Sequence, residues 1–218
     1  MDAENICYII GAGPFYGNIP PLRAGDYMIA ADGGYGHLQK LGREPHMVIG
    51  DFDSLGNRPD HPHVVALNRE KDDTDMGAAL QAGLESGYRR FWLFGGMGGR
   101  MDHTLANFQA LAMLSRQGAR GILIGEYEAV TAITNGAVAF PASAKGYLSV
   151  FAHTESAKGV FLRGLKYELT NAEVLNTFPI GVSNEFTGRE SRVLVREGTL
   201  LVICPQNVQM IFEGGSGA

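Results

Sequence analysis

Short apolar runs separated by polar turns dominate the first part of the chain. Six such runs stand out: ICYII, YMIAA, MVIGD, HVVAL, FWLFGG and GILIG. Runs of this length are typical of strands that are buried in a parallel sheet. Between them, TDMGAALQAGLESG and DHTLANFQALAMLSRQG carry apolar residues at helical spacing. The pattern predicts an α/β N-terminal domain with a mostly parallel six-stranded sheet.

The pattern changes after about Gly125. The segments AVTAITNGAVAF, GYLSVFAH, GVFLRGLKYEL and SRVLVREGTLLVICP are β-rich and are separated by hairpin turn residues. Only residues 170–175 suggest a further amphipathic helix. We therefore expect an all-β C-terminal sandwich, with the two domains at residues 1–128 and 129–213. The Gly-rich residues 214–218 are expected to form a flexible tail.

Composition narrows the class of partner. The 218 residues carry a formal net charge of -5, which gives no diffuse attraction to nucleic acid or anionic lipid, so a small-molecule substrate is expected. Cys7 and Cys204 lie among apolar neighbours and favour buried reduced thiols, although the sequence alone leaves a bridge open. No apolar run is long enough for a signal-peptide core or a membrane span, so we expect a cytoplasmic protein.

Aspartates follow successive predicted strands. They are Asp32, Asp51, Asp53, Asp72, Asp73, Asp75 and Asp102. The carboxyl ends of parallel strands line the ligand crevice of an α/β sheet, so these side chains are expected to converge. Crowded carboxylates repel one another unless a cation lies among them, and all-oxygen ligation suits Mg²⁺. Lys71 and Arg100 add fixed positive charge at the same rim.

The stretch GDFDS, residues 50–54, contributes two of these carboxylates. If the extended backbone continues through it, Asp51 and Asp53 point to one side and Phe52 to the other, so one cation could bridge the pair. A single D-x-D is common by chance, and Asp75 or Asp102 alone is better explained as a helix cap. The set as a whole, together with the Gly-rich turns at 33–34 and 95–99, favours a metal with a polyphosphate.

Other motifs exclude common enzyme classes. GAGPFYG, residues 11–17, lacks the third glycine of a dinucleotide fingerprint because Tyr16 stands there, so we interpret it as a βα turn. The run His61-Pro62-His63 is interpreted as a surface loop. The chain has no Walker A sequence, no G-x-S-x-G elbow and no C-x-x-C pair, which disfavours the usual nucleotide hydrolases, esterases and zinc proteins.

The ordered motifs ADGG (31–34), GDFDS (50–54), KDDTD (71–75) and GGMGGRMDHTLAN (95–107) resemble those of thiamine pyrophosphokinases. That family makes thiamine diphosphate from thiamine and ATP. The resemblance continues into GLKYEL (164–169) and GVSNEF (181–186). It implies an N-terminal α/β domain, a C-terminal β-sandwich and a homodimer, with an active site between subunits where Mg²⁺-ATP meets thiamine.

The resemblance also implies residue roles. Mg²⁺ would be held by Asp51, Asp53 and Asp75, and the catalytic set would be Asp51, Asp53, Asp75, Arg100 and Asp102. ATP and its phosphates would contact Asp32, Gly33, Lys71, Asp72, Thr74, Gly95, Gly96, Arg100, His103 and Asn107. Thiamine would be faced by Tyr167, where relatives often carry Trp, and by Ser183 and Asn184.

Three other classes of protein compete with this interpretation. A sugar-nucleotide glycosyltransferase explains GDFDS but neither KDDTD nor GGMGGRMDH. A protein that only binds or senses thiamine phosphates would not need so many carboxylates directed at a metal. A phosphatase with an aspartyl nucleophile would carry its D-x-D after the first strand, where this chain has GAGPF.

Overall fold

The computed structural model describes residues 5–52, 59–68 and 74–213. The chain divides into two compact units, one of residues 1–110 and 119–126 and the other of residues 111–118 and 127–218. Helix α3, Met101–Arg116, begins in the first unit. The other elements of that unit are β1 (Cys7–Ile10), β2 (Tyr27–Ala31), α1 (Gly34–Lys40), β3 (Met47–Gly50), β4 (Val64–Ala66), α2 (Asp75–Glu85), β5 (Arg90–Phe94) and β6 (Arg120–Ile124).

The strands of the first unit pair in the order β4-β3-β2-β1-β5-β6, and each of these pairings is parallel. The chain leaves β1 on one side, through β2, β3 and β4, and returns on the other side with β5. The gap between the ends of β1 and β5 is therefore a topological switch point, where ligands of open α/β sheets bind. Strand β1 is fully buried, as its unbroken apolar run indicates.

The second unit contains β7 (Glu128–Thr134), β8 (Ala137–Phe140), β9 (Tyr147–Ala152), β10 (Ser156–Arg163), β11 (Leu169–Leu175), β12 (Asn184–Glu185), β13 (Ser191–Leu194), β14 (Thr199–Pro205) and β15 (Ile211–Glu213). Within the described residues these strands pair antiparallel, in the orders β12-β9-β14-β7 and β11-β10-β13-β8-β15. Apolar side chains of both sets form one buried cluster that includes Val138, Phe140, Leu148, Val150 and Val160.

The helix suggested at residues 170–175 is wrong, because this segment lies in strand β11. Its apolar residues Ala172 and Val174 are two positions apart and pair with Val160 and Ala157 of β10. Period-two alternation of this kind puts both side chains on the same face of a strand. Pairing with β10 also satisfies backbone groups that a short isolated helix would leave to solvent.

The two cysteines are free and buried, in agreement with the expected reduced thiols. Burial raises the pKa of Cys7 well above its ordinary value and that of Cys204 to about 12, so both thiols stay protonated near neutral pH. Across the described ranges, no helix has the length and apolar character needed to cross a membrane.

Candidate active site

A cavity of about 370 Å³ opens in the first unit. Its walls come from the turns after β1, β2 and β5, from the beginning of α2 and from the first half of α3. The cavity therefore lies at the carboxyl edge of the parallel sheet and at the switch point between β1 and β5, where this topology favours ligand binding.

Two glycine turns meet back to back in the wall of this cavity. The backbone N–H of Gly11 donates to the carbonyl of Phe94 at 2.7 Å, and that of Gly13 donates to the carbonyl of Gly95 at 2.9 Å. A Cβ on Gly11 or Gly13 would lie 2.8 or 2.7 Å from the Gly95 carbonyl oxygen, which is closer than real Cβ atoms approach. Gly95 itself has a φ of +64°, which disfavours any side chain.

Side chains from two helices hold these turns in place. The ring Nε2 of His37, in α1, lies 2.9 Å from the carbonyl oxygen of Gly13. The ring of Phe15 lies 5.6 Å from both the His37 and the Phe94 rings, centre to centre. In α3, the buried Asn107 donates from Nδ2 to the carbonyl of Gly96 at 2.7 Å. Neighbouring side chains thus hold the backbone of the two glycine turns in a fixed position.

Two carboxylates face the cavity from different elements. Asp32 is only 7% exposed and has a φ of +48°, and its N–H donates to the Ile49 carbonyl at 2.8 Å. Asp75 is the first residue of α2, where a negative charge is favoured by the helix dipole. Thr74 is the N-cap of that helix, because its side-chain oxygen accepts a hydrogen bond from the Gly77 N–H at 3.0 Å. Thr74, not Asp75, therefore caps α2.

Arg100 and Asp102 form an exposed ion pair where α3 begins. The guanidinium donates from Nη2 to Oδ2 at 2.6 Å and from Nε to Oδ1 at 3.1 Å. This hydrogen bonding from Arg100 lowers the pKa of Asp102 and raises that of Arg100, so the carboxylate is ionised across the neutral range. Arg100 lines the cavity, whereas Asp102 does not.

The predicted nucleotide residues separate into three groups. The cavity is lined by Asp32, Thr74, Asp75, Gly95, Gly96, Arg100, His103 and Asn107. Gly33, Asp51 and Asp102 belong to the same unit but do not line it. Asp53, Lys71 and Asp72 lie outside the described residues.

The extended backbone expected through GDFDS does not continue. Strand β3 ends at Gly50, and Phe52 has a φ of +60° with its side chain only 6% exposed. The left-handed φ of Phe52 interrupts the extended backbone, and burial of its ring offsets part of the strain. Alternation along an extended strand therefore no longer supports the expected position of Asp53 beside Asp51. Asp53 lies outside the described residues, so its position stays a prediction.

The described part of the chain contains no group of three or more His, Cys, Asp or Glu side chains arranged to hold a metal ion. The carboxylates that line the cavity, Asp32 and Asp75, are nevertheless oxygen donors of the kind that Mg²⁺ prefers. Mg²⁺ usually takes one or two carboxylates together with substrate phosphates and water, rather than a complete protein cage. The donor set fits Mg²⁺ bound together with a polyphosphate.

The residues predicted to face thiamine all belong to the second unit. Asn184 is buried and uses its side chain internally: Oδ1 accepts from the Tyr167 N–H at 2.9 Å, and Nδ2 donates to the Tyr167 carbonyl at 2.7 Å. Asn184 thereby fixes the backbone of Tyr167, whose own side chain is 60% exposed. Ser183 has a φ of +56°, and its N–H donates to Ser149 Oγ at 3.1 Å.

Sequence reasoning missed part of the cavity wall. Gly11, Ala12 and Gly13 line it, as do Met76 and Met97. The available indication was GAGPF directly after the first apolar run, which was interpreted only as a turn. Its importance depends on β1 lying beside β5, which the order of the sequence does not reveal.

The site combines glycine turns with carboxylates at the switch point of a parallel sheet. This combination is typical of α/β enzymes that act on phosphorylated small molecules. The family model described as thiamin pyrophosphokinase, catalytic domain, matches residues 22–123, and the one described as thiamin pyrophosphokinase, vitamin B1 binding domain, matches residues 138–200. The chain belongs to the thiamin pyrophosphokinase family, which makes thiamine diphosphate from thiamine and ATP.

Individual relatives agree with this assignment. The chain is 28% identical over 182 residues to a thiamine pyrophosphokinase of Bacillus subtilis, covering 80% of this chain and 85% of the relative. It is 25% identical over 192 residues to thiamin pyrophosphokinase 1 of Caenorhabditis elegans, covering 81% of this chain and 77% of the relative. A crystal structure of the Bacillus subtilis thiamine pyrophosphokinase superposes with a TM-score of 0.82 at 25% identity, covering 93% of this chain and all of that one. The resemblance inferred from the motifs is confirmed.

Proposed function

We propose that the cavity of the first unit binds Mg²⁺-ATP and is where the diphosphoryl group is transferred to thiamine. The main observation behind this proposal is that two glycine turns, at residues 11–13 and at Gly95, are hydrogen-bonded to each other at the switch point. They line the same cavity as Asp32 and Asp75. Backbone at such turns can approach phosphate oxygens closely, because no side chain intervenes. Arg100 at the rim supplies the fixed positive charge that a polyphosphate requires.

In this reaction the hydroxyl oxygen of thiamine forms a bond to the β-phosphorus of ATP. The bond between that phosphorus and the oxygen bridging it to the α-phosphorus breaks, and AMP leaves with the bonding electrons. Negative charge grows on the bridging oxygen and on the β-phosphoryl oxygens. Arg100 is exposed and can move from Asp102 to these oxygens without desolvating a buried charge.

Mg²⁺ would be held by Asp51, Asp53 and Asp75, as the family resemblance implies, with Asp32 as a neighbouring carboxylate. When bound, Mg²⁺ neutralises phosphate charge and fixes the conformation of the polyphosphate. The oxygen-only character of the described donors supports this assignment. Asp53 and the phosphate contacts Lys71 and Asp72 rest on the resemblance alone, because they lie outside the described residues.

Asp102 is a poor candidate for accepting the hydroxyl proton. Hydrogen bonding from Arg100 lowers the pKa of Asp102, and a carboxylate with a lowered pKa is a weaker base. Asp75 lines the cavity, but the role in holding Mg²⁺ would weaken it as a base in the same way. We therefore assign Asp102 to orienting Arg100 and Asp75 to holding Mg²⁺.

The second unit, taken as the β-sandwich of residues 129–213, would bind thiamine through Tyr167, Ser183 and Asn184. The Tyr167 ring is exposed, and the hydrogen bonds from Asn184 hold the Tyr167 backbone, which supports a stacking role for the ring against a flat heterocycle.

We propose that the protein is a cytoplasmic homodimer with active sites shared between subunits. The two buried thiols are consistent with the cytoplasm, because they need no oxidising compartment.

Product analysis tests the reaction. Incubation with thiamine, ATP and Mg²⁺ should yield thiamine diphosphate and AMP in equal amounts, measured by mass spectrometry. Thiamine monophosphate with ADP would contradict diphosphoryl transfer. Tight thiamine binding without nucleotide turnover would favour a sensor protein instead.

A matched pair of variants tests the site. Asp75→Asn should keep the fold but lower kcat by at least about 100-fold, because the charge that holds the metal is removed. The stabilisation by Mg²⁺-ATP in thermal unfolding should shrink with it. Asp60→Asn, at an exposed position outside the cavity, removes the same charge and should behave as wild type. Equal kcat values for the two variants would reject the assignment of Asp75.

A further inference from the structure

The second unit carries a groove of about 160 Å³ that the proposed reaction does not use. It is lined by Phe161, Arg163, Arg192, Leu194 and Arg196. These residues come from β10, from β13 and from the segment just after β13, and the two strands pair antiparallel. We call this surface the arginine groove.

The arginine groove concentrates positive charge in a chain whose formal net charge is -5. Arg163 and Arg192 are direct partners across the β10–β13 pair. Like charges directly opposite each other destabilise an antiparallel pair unless opposite charge compensates them. The arrangement therefore favours the presence of anions in the groove.

The protein supplies only part of that compensation. Nη1 of Arg163 donates to Thr170 Oγ1 at 2.9 Å and to Glu168 at 3.3 Å. Arg192 directs Nε and Nη2 to the carboxylate of Glu213 at 2.7 and 2.6 Å. Throughout the described ranges, the guanidinium of Arg196 makes no ion pair and no hydrogen bond. The guanidinium N–H groups of Arg196 are therefore available to a ligand, as are those of Arg163 that do not bond Thr170 or Glu168.

An aromatic floor orients two of the guanidinium groups. The guanidinium carbons of Arg163 and Arg196 lie 5.5 and 5.0 Å from the centre of the same Phe161 ring. Leu194, which pairs with Phe161 across the strands, is only 8% exposed. Charged donors above an apolar floor are less hydrated than free side chains, and their planar forks lose little entropy when they bind an oxyanion.

We propose that the arginine groove is a binding site for the phosphoryl group of a small molecule. Arg forks match phosphate oxygens in bidentate geometry, and several guanidinium groups favour a multiply charged anion over a single carboxylate. Pockets for whole drug-sized ligands are about 300–1,000 Å³, so this groove accommodates an anionic head rather than a complete nucleotide. The proposal does not depend on the reaction proposed for the first unit.

Isothermal titration calorimetry with inorganic diphosphate, at low ionic strength and without divalent cations, tests the site. The wild-type protein should bind one equivalent per chain. The double variant Arg163→Gln/Arg196→Gln should bind at least about 10-fold more weakly, because charge-assisted hydrogen bonds are lost. Glutamine keeps much of the aliphatic stem over Phe161, and thermal unfolding of the variant checks its fold. If the double variant unfolds, Arg196→Lys, which keeps the charge but not the fork, should still bind several-fold more weakly.

Two control variants separate this site from the alternatives. Arg189→Gln removes an exposed arginine of the same unit that does not line the groove and whose Nε donates to Thr187 Oγ1 at 3.4 Å. Because Arg189 acts on Glu168 only through its charge, the affinity should change far less than in the double variant. Arg100→Gln should also leave the affinity of the groove unchanged, because Arg100 lines the cavity of the first unit and not the groove. Unaltered binding by the double variant would overturn the proposal, as would an equal loss in Arg189→Gln or loss of binding in Arg100→Gln.

A second titration with AMP identifies the source of the phosphoryl group. Weaker binding of AMP than of diphosphate would indicate a free inorganic anion as the ligand. Tighter binding of AMP that is lost in the double variant would indicate a phosphate ester whose organic part contacts the protein beyond the groove, because AMP bound in the cavity of the first unit would be retained by that variant. Failure of both ligands to bind would overturn the proposal, whether or not the protein makes thiamine diphosphate.

Discussion

Phe52 is a residue whose backbone and side chain have opposite effects on stability. Its φ of +60° is strained for a bulky residue and costs on the order of 1–3 kcal/mol. Burial of the ring, which is 6% exposed, stabilises the folded protein by about 1.5–3 kcal/mol. The ring therefore maintains a turn immediately after Asp51.

The strain at Phe52 predicts an inverted order of stability. Phe52→Ala should destabilise the protein by about 3–5 kcal/mol, because the ring is lost while the strained φ remains. Phe52→Gly should be more stable than Phe52→Ala by about 1 kcal/mol, because glycine adopts this φ freely. Urea unfolding of both variants measures the difference.

Phe91 supplies the control for this comparison. It is 1% exposed in β5 and has no positive φ. Phe91→Gly should therefore be less stable than Phe91→Ala, as is usual in a strand. The same order at Phe52 would mean that its backbone is not strained.

Individual site residues differed in how well the sequence revealed them. Gly95, Gly96 and Asn107 belong to a recognisable motif, and all line the cavity. The left-handed φ of Phe52 could not be predicted, because phenylalanine rarely adopts this conformation. Gly11 and Gly13 were passed over because their role depends on a neighbour more than 80 residues away in the chain.

Helix α1 shows the same limit at the level of an element. Its sequence, GYGHLQK, contains two glycines, which are poor helix formers, and only seven residues. Sequence patterning did not predict it. The helix forms because Leu38 and Tyr35 pack into the core, which is a tertiary effect. Longer helices such as α2, with buried Met76, Leu80 and Leu84, were predicted from their spacing alone.

The two glycines of α1 should respond oppositely to alanine. A Cβ on Gly36 would have no atom within 4 Å, so Gly36→Ala should stabilise the protein by about 0.5–1 kcal/mol through helix propensity. A Cβ on Gly34 would collide with the carbonyl oxygen of Ile10, so Gly34→Ala should destabilise it by about 1–3 kcal/mol. Thermal unfolding of both variants checks this. A stabilised Gly34→Ala variant would show that β1 and α1 are not in close contact.

At the scale of the whole molecule, one apolar segment among the described residues is notable for its exposure. Leu175, Phe178, Ile180 and Val182 are between 42% and 63% exposed, within eight residues of chain. A concentration of apolar side chains in solvent usually marks an interaction surface. We infer that a second copy of the chain covers this segment in the proposed homodimer.

Sedimentation tests the homodimer. The wild-type protein should sediment at twice its 23.4 kDa chain mass. Phe178→Asp should shift the population to monomer, because a buried unpaired charge at an apolar interface is costly. Tyr127→Asp alters another exposed aromatic residue, 72% exposed, and should leave the dimer intact. A monomeric wild type would reject the dimer, and a dimeric Phe178→Asp variant would reject this interface.

The back-to-back glycine turns restrict how the enzyme can be redesigned. Gly11, Gly13 and Gly95 form their wall from backbone, and a side chain on any of them would collide with the opposite turn. Random mutagenesis of the proposed nucleotide site would therefore recover inactive clones at these positions. Met97 and His103 line the same cavity with side chains that are at least partly exposed and can change in size and polarity. A library built on those two positions would vary the specificity of the cavity and leave the glycine turns intact.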